Sequence, residues 1–123
     1  MACVLIIDDD AAIREILGQA LRSEGYQVHA VESCTGALAM LEHTRPALLV
    51  LDLMMPVLGG WQFLEILNKS EKLSDIPILI ITAAEELPEG RHRVIKKPFH
   101  VDTVLSAVRD SCAAGADRRV DAP

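Results

Sequence analysis

Two short apolar runs each end in acid: residues 4–7 lead into Asp8, Asp9 and Asp10, and residues 47–51 lead into Asp52. Asp52 is followed by Met54, Met55, Pro56, Gly59 and Gly60, the composition of a loop. An apolar run ending in a carboxylate and then a Pro/Gly loop reads as a buried parallel strand that delivers the acid to its C-terminal end. Ligands of open α/β sheets gather at that edge. Up to four carboxylates there repel one another and lose solvation, which opposes ionising them all. A bound divalent cation relieves the conflict, and Mg²⁺ suits an all-oxygen set better than Zn²⁺, because no His/Cys group with ligand spacing lies nearby. Each acid also has a plainer reading. Asp52 alone fits a turn or cap, Asp10 fits the cap of a helix beginning near Ala11, and Asp8 or Asp9 fits a strand end. That account does not dispose of Asp8 and Asp9 together. Thr82, closing the apolar run 78–81, is either a β-former finishing its strand or a hydroxyl at the same edge. Lys96 and Lys97 close the next run; a lysine at this edge neutralises a bound oxyanion, whereas simple solvent exposure is the alternative for Lys96.

The elements that must position these groups follow from periodicity. Residues 4–7 form the first strand. Ile13, Ile16, Leu17, Ala20 and Leu21 recur at helical spacing, and Gly25 stops that helix. A less buried strand over 26–31 puts Val28 and Ala30 on one face. A second helix runs from about Thr35 to His43 with Ala37, Leu38 and Leu41 inward, and Pro46 precedes the strand that carries Asp52. The third helix, 61–68, buries Phe63, Leu64 and Leu67 and leaves Trp61 partly covered. Pro77 opens the fourth strand, Val94 and Ile95 begin the fifth, and the last helix carries Val101, Val104, Leu105, Val108 and Cys112 inward. This is the rhythm of repeated right-handed βα units. Residues 113–123 are small, charged and aperiodic, either a frayed tail or the start of an interdomain linker.

With 123 residues, half of them apolar, the chain has the material for one domain. A net charge of −6 without a Lys/Arg stripe argues against direct nucleic-acid binding, and Trp61 has few ring-bearing companions for a stacking surface. Cys3, Cys34 and Cys112 are an odd, scattered set, read as buried reduced thiols of a cytosolic protein. The N-terminal apolar run is too short for a signal peptide or a membrane span, so a soluble cytoplasmic location is expected and no membrane partner.

Taken in order, with forty-three residues from Asp9 to Asp52 and thirty from Asp52 to Thr82, these residues resemble the response regulator receiver domain of bacterial two-component signalling, the CheY-like superfamily. The matched pattern also includes Met55, Pro56 and Gly60 after Asp52, and Lys97 with Pro98 and Phe99. The resemblance runs from Cys3 to about Cys112, and implies a receiver domain over residues 1–112 followed by the 113–123 tail or linker. It implies a flavodoxin-like, doubly wound five-stranded parallel sheet of order 2-1-3-4-5. It further implies Asp52 as phosphoacceptor and Mg²⁺ held by Asp9, Asp52, the Met54 backbone carbonyl and Asp8 through water. Thr82 and Lys97 would contact the phosphoryl oxygens, and proline physics together with the resemblance predicts a cis Lys97–Pro98 bond. The chain would receive its phosphoryl group from a histidine kinase or histidine phosphotransfer protein. It would act as an enzyme only in its own phosphorylation and slow dephosphorylation.

Three departures stand out. Lys97 follows Thr82 by only fifteen positions, several fewer than is usual in the family, and Pro88 and Gly90 oppose helix between them. A truncated or absent fourth helix is therefore expected, with the apolar face around Ile78, Ile80 and Val94 left exposed for a homodimer or an effector to cover near Ala83 to Val94. Val94 stands where the family carries its switch aromatic. Met54 and Ala84, at the positions that tune dephosphorylation, offer no group to hold an attacking water. Two other functions stay open: a receiver-like interaction module with little or no phosphorylation, and a small Mg²⁺-dependent phosphohydrolase. The latter lacks a base near Asp52, because His29, His43, His92 and His100 fall in the second strand, helix ends or loops.

Overall fold

Five apolar runs become five strands: β1 (Cys3–Ile7), β2 (Gln27–Val31), β3 (Leu48–Leu51), β4 (Ile78–Thr82) and β5 (Arg93–Lys96). The computed structural model describes residues 2–88 and 92–121, with side chains through residue 113. All strand pairs are parallel, and the order is β2-β1-β3-β4-β5. Ile7 lies between Val31 and Leu51, so β1 and β3 end level with each other. The strand order reverses beside this pair, which opens a crevice outside their carboxyl ends.

Strand side chains alternate between two faces, and each face has its own core. Val4, Ile6, Val50, Leu79 and Ile81 meet Leu17 and Leu21 of α1 (Ala11–Ser23) and Val104, Ala107 and Val108 of α4 (Val101–Asp121). Leu5, Ile7, Leu49, Leu51 and Ile80 meet Ala37 and Leu41 of α2 (Cys34–Leu41) and Phe63, Leu64 and Leu67 of α3 (Gly60–Lys69). Asp10 caps α1 by accepting the Ala12 and Ile13 amides at 2.9 and 3.4 Å, as its cap reading required. The helix ends where Gly25 takes a φ of +95°. None of the described helices is long and apolar enough to cross a membrane.

Several expectations need correction. Ile16 is 50% exposed, because at about 100° per residue it lies off the stripe through Leu17, Gly18 and Leu21. Ala30 is exposed on β2, which has a neighbouring strand on one side only. Cys34 alone of the cysteines is buried; Cys3 and Cys112, near element ends, are half-covered. Among the described residues no helix joins β4 to β5: residues 83–88 form an irregular loop, and residues 89–91 of the expected loop lie outside the described set. Yet Ile80 is fully buried and Ile78 and Val94 half-buried. Phe63 of α3, with Leu73 and Ile76 after it, supplies cover that was expected to be missing. The backbone of α4 continues to Asp121, past Cys112 where the apolar period stops. The Lys97–Pro98 bond is cis.

Val57 has a φ of 66° and is 99% exposed, so it gains no burial for adopting a conformation that costs a β-branched residue about 1–2 kcal/mol. Val57→Asn should stabilise the fold by about 1 kcal/mol, read as a rise of about 4 °C in thermal melting. Gly25→Ala should destabilise it by about as much.

Candidate functional site

The site assembles where β1, β3, β4 and β5 run out. Asp52 follows Leu51 directly, and its amide donates to the Ile7 carbonyl at 3.1 Å, tying the two central strands together at the crevice. Its Oδ1 accepts the Thr82 hydroxyl at 2.8 Å and the Met54 amide at 3.1 Å. Its Oδ2 accepts the Lys97 ammonium at 3.0 Å, and the same ammonium donates to Asp8 Oδ2 at 2.9 Å. Asp8 Oδ1 accepts the Asp10 amide at 2.9 Å. Asp8, Asp52 and Thr82 are buried, whereas Asp9 is exposed. Each of Asp8, Asp9 and Asp52 offers an oxygen within 4.8 Å of the others.

Neighbouring elements hold this geometry. The Lys97 amide donates to the Thr82 carbonyl at 3.0 Å, which fixes the end of β5 to the end of β4. Gly60 opens α3 directly against the Asp52 loop: a Cβ there would lie 2.5 Å from the Leu53 Cα and 2.8 Å from the Asp52 carbonyl oxygen. Burial pushes the Asp8 carboxyl up, with partial relief from the Asp10 amide and Lys97. Burial alone would pull the Lys97 ammonium down; its bonds to Asp8 and Asp52 outweigh that and leave it above the ordinary lysine range. Burial, with the charge of Asp52, raises the Cys34 thiol to about 11.

Three carboxylates around one opening form a hard, oxygen-only donor set, and Lys97 bridging two of them shows how strongly the cluster favours a cation. The set fits Mg²⁺, with the exposed Asp9 on its open side. A cavity of about 350 Å³ beside Asp9 is lined by Glu32, Ser33, Thr35 and Pro56 among others. Thus Asp8, Asp9, Asp52, Thr82 and Lys97 come together, and Met54 donates its backbone amide to Asp52 while its side chain is exposed. Lys96 turns away and hydrogen-bonds the Ala84 carbonyl. Val94, half-buried, packs against the core cluster that includes Phe63 and Ile80. Sequence reasoning missed Arg14, whose Nη1 donates to the Asp8 carbonyl at 2.8 Å. As one polar residue among several on α1 it gave no signal.

Residues 4–109 match the family described as the response regulator receiver domain. Response regulator MprA of Mycobacterium avium (strain 104) is 35% identical over 113 residues, 86% of this chain and 49% of that protein. The DNA-binding dual master transcriptional regulator RpaA of Synechocystis sp. is 35% identical over 117 residues, 89% of this chain and 48% of that protein. This chain spans about half the length of these curated relatives. The structure of Vibrio cholerae chemotaxis protein CheY4 superposes with a TM-score of 0.81 at 29% identity, covering 90% of this chain and 98% of that one.

A carboxyl whose folded pKa is raised contributes stability that is present below its unfolded value, near 3.8, and lost as pH rises through the folded value. Ionised Asp8 therefore costs stability at neutral pH. Asp8→Asn should melt higher than the parent at pH 7 in metal-free buffer, with the difference closing as pH falls toward about 4; a lower melting point at pH 7 would mean that the Lys97 bond outweighs burial. Gly60→Ala should destabilise by about 2 kcal/mol through the backbone overlap at Asp52 and Leu53, measurable by urea unfolding.

Proposed function

This chain belongs to the response regulator receiver domain family, and on that premise we propose that Asp52 accepts a phosphoryl group from a histidine kinase or histidine phosphotransfer protein. The observation that carries the reading is Asp52 itself, a buried carboxylate at a strand end, held by Thr82 and Lys97 beside Asp8 and Asp9. An Asp52 oxygen forms the new bond to phosphorus as the bond to the donor's imidazole nitrogen breaks. Charge on the equatorial oxygens is met by the Lys97 ammonium and the Thr82 hydroxyl, both already within hydrogen-bond distance of the nucleophile. Asp9, Asp52 and the Met54 carbonyl would hold Mg²⁺, with Asp8 completing the acidic set, and a bound ion would supply positive charge opposite the transferring group. Receiver-family membership is consistent with a catalytic role limited to this chain's own phosphorylation and dephosphorylation.

The output lies in the loop after β4. Thr82 Oγ1, the donor to Asp52, also accepts the Ala84 amide at 3.2 Å, and Lys96 holds the Ala84 carbonyl. When the hydroxyl turns to a phosphoryl oxygen, the Ala84 amide loses its Thr82 partner and only Lys96 still holds that residue, and the surface around residues 83–88 and 92–94 becomes available to an effector or a second copy. Leu87, 41% exposed there, supports that role. Residues 1–112 form the receiver domain and 113–123 a tail or linker, supported by the end of apolar periodicity at Cys112. That no helix joins β4 to β5 among the described residues favours one rival, an interaction module that is little phosphorylated.

Incubation with phosphoramidate and Mg²⁺ should add one phosphoryl group, seen by mass spectrometry, and EDTA or Asp52→Asn should abolish it. Lys97→Met should slow labelling at least tenfold, as expected for loss of a positioned charge at the transferring group. A chain that neither labels nor binds beryllofluoride would favour the interaction module.

A further inference from the structure

The most exposed of the three acids is also the one with the least side-chain support. Asp8 is anchored at every polar group: its amide donates to Val31 at 3.2 Å, its two carboxylate oxygens accept Asp10 and Lys97, and its carbonyl accepts Arg14. Asp9 is exposed, so its direction is set by the backbone that carries it. The peptide joining Asp8 to Asp9 is the one whose oxygen Arg14 holds at 2.8 Å. The carbonyl before it, that of Ile7, accepts the Asp52 amide within the sheet, so Asp8 is where the chain leaves the ladder. Rotation of the peptide plane there would swing both the Asp9 carboxylate and the amide of Asp10 that caps Asp8.

We propose that Arg14 is a positioning residue for the metal site: its guanidinium fixes the Asp8–Asp9 peptide plane, and thereby holds the Asp9 carboxylate where it completes the set with Asp8 and Asp52. The inference rests on the Mg²⁺ reading of that cluster. Arg14 suits the task by its place in the fold. It lies one turn beyond the Asp10 cap, its own amide donating to the Asp10 carbonyl at 3.1 Å, and it is half-buried, so its planar fork is confined by the helix it stands on. Partners of this kind, one step behind a ligand, govern how well the ligands are pre-arranged before the ion arrives.

The sign of one measurement separates this role from a purely electrostatic one. Arg14 is a cation near a cation site, so through charge alone its removal would tighten Mg²⁺ binding. Positioning predicts the opposite. Mg²⁺ titrations followed by the amide shifts of Asp9, Asp10 and Met54 should give Arg14→Met a dissociation constant on the order of tenfold higher than the parent. Arg14→Lys, which keeps a cationic donor, should recover most of the loss. Both variants should melt close to the parent in EDTA, and the Asp9 and Asp10 amides of Arg14→Met should broaden before any Mg²⁺ is added. Unchanged or tighter binding by Arg14→Met overturns the proposal, as does a lower melting point in EDTA with unchanged Mg²⁺ affinity of the folded protein, which marks a merely structural bond. If the parent chain itself shows no shift with Mg²⁺, the metal reading fails and the inference falls with it. Parental binding with an unaltered Arg14→Met sinks the inference alone.

Discussion

One lysine between two buried carboxylates is the constraint on which the rest depends. Asp8 and Asp52 come from different strands, and Lys97 reaches both from a third. Two acids this close cannot both stay ionised out of water without a compensating charge. The chain places that charge forty-five residues beyond Asp52, so the pocket is complete only when the sheet is. Its acids are consequently a report on the whole fold. If β5 detaches from β4, Lys97 leaves and the two carboxylates are left to repel.

The packing serves this arrangement at the expense of local ease. Gly60 lets α3 start against the Asp52 backbone, a contact that no larger residue allows. Phe63 and Leu67 of that helix lie in the same core cluster as Leu49, Leu51 and Ile80 of β3 and β4, so the helix that crowds Asp52 also supplies core beneath it. The Asp8 side chain bonds the Asp10 amide, and the Asp10 side chain caps α1. Cap, acid pair and helix are a single local unit, and shifting one shifts all three.

Much of this was legible in the residues because it rests on patterns of period two and period three to four. The five strands, the inward faces of α3 and α4, and the gathering of Asp8, Asp9, Asp52, Thr82 and Lys97 at one edge all emerged as read. What escaped depends on tertiary neighbours. Ile16 shares the spacing of a buried residue but sits off the stripe that meets the sheet. Ile80 is covered by α3 and the turn beyond it, which no count of residues between β4 and β5 reveals. Arg14 acts on a backbone oxygen, and the need of such an oxygen leaves no trace in side-chain type.

If Asp52 is phosphorylated as proposed, the thiol of Cys34 bears on how long that state lasts. An aspartyl phosphate is a mixed anhydride, open to attack by any good nucleophile that reaches its carbonyl carbon, and a thiolate would convert it to a thioester. Cys34 opens α2 at the same edge of the sheet, only 1% exposed, and near neutral pH it is held as the protonated thiol by burial and by the negative charge of Asp52. Under the proposed phosphorylation of Asp52 the charge there stays negative, and burial continues to hold Cys34 as the thiol. Burial, more than charge, would then keep this thiol from competing with water for the aspartyl phosphate.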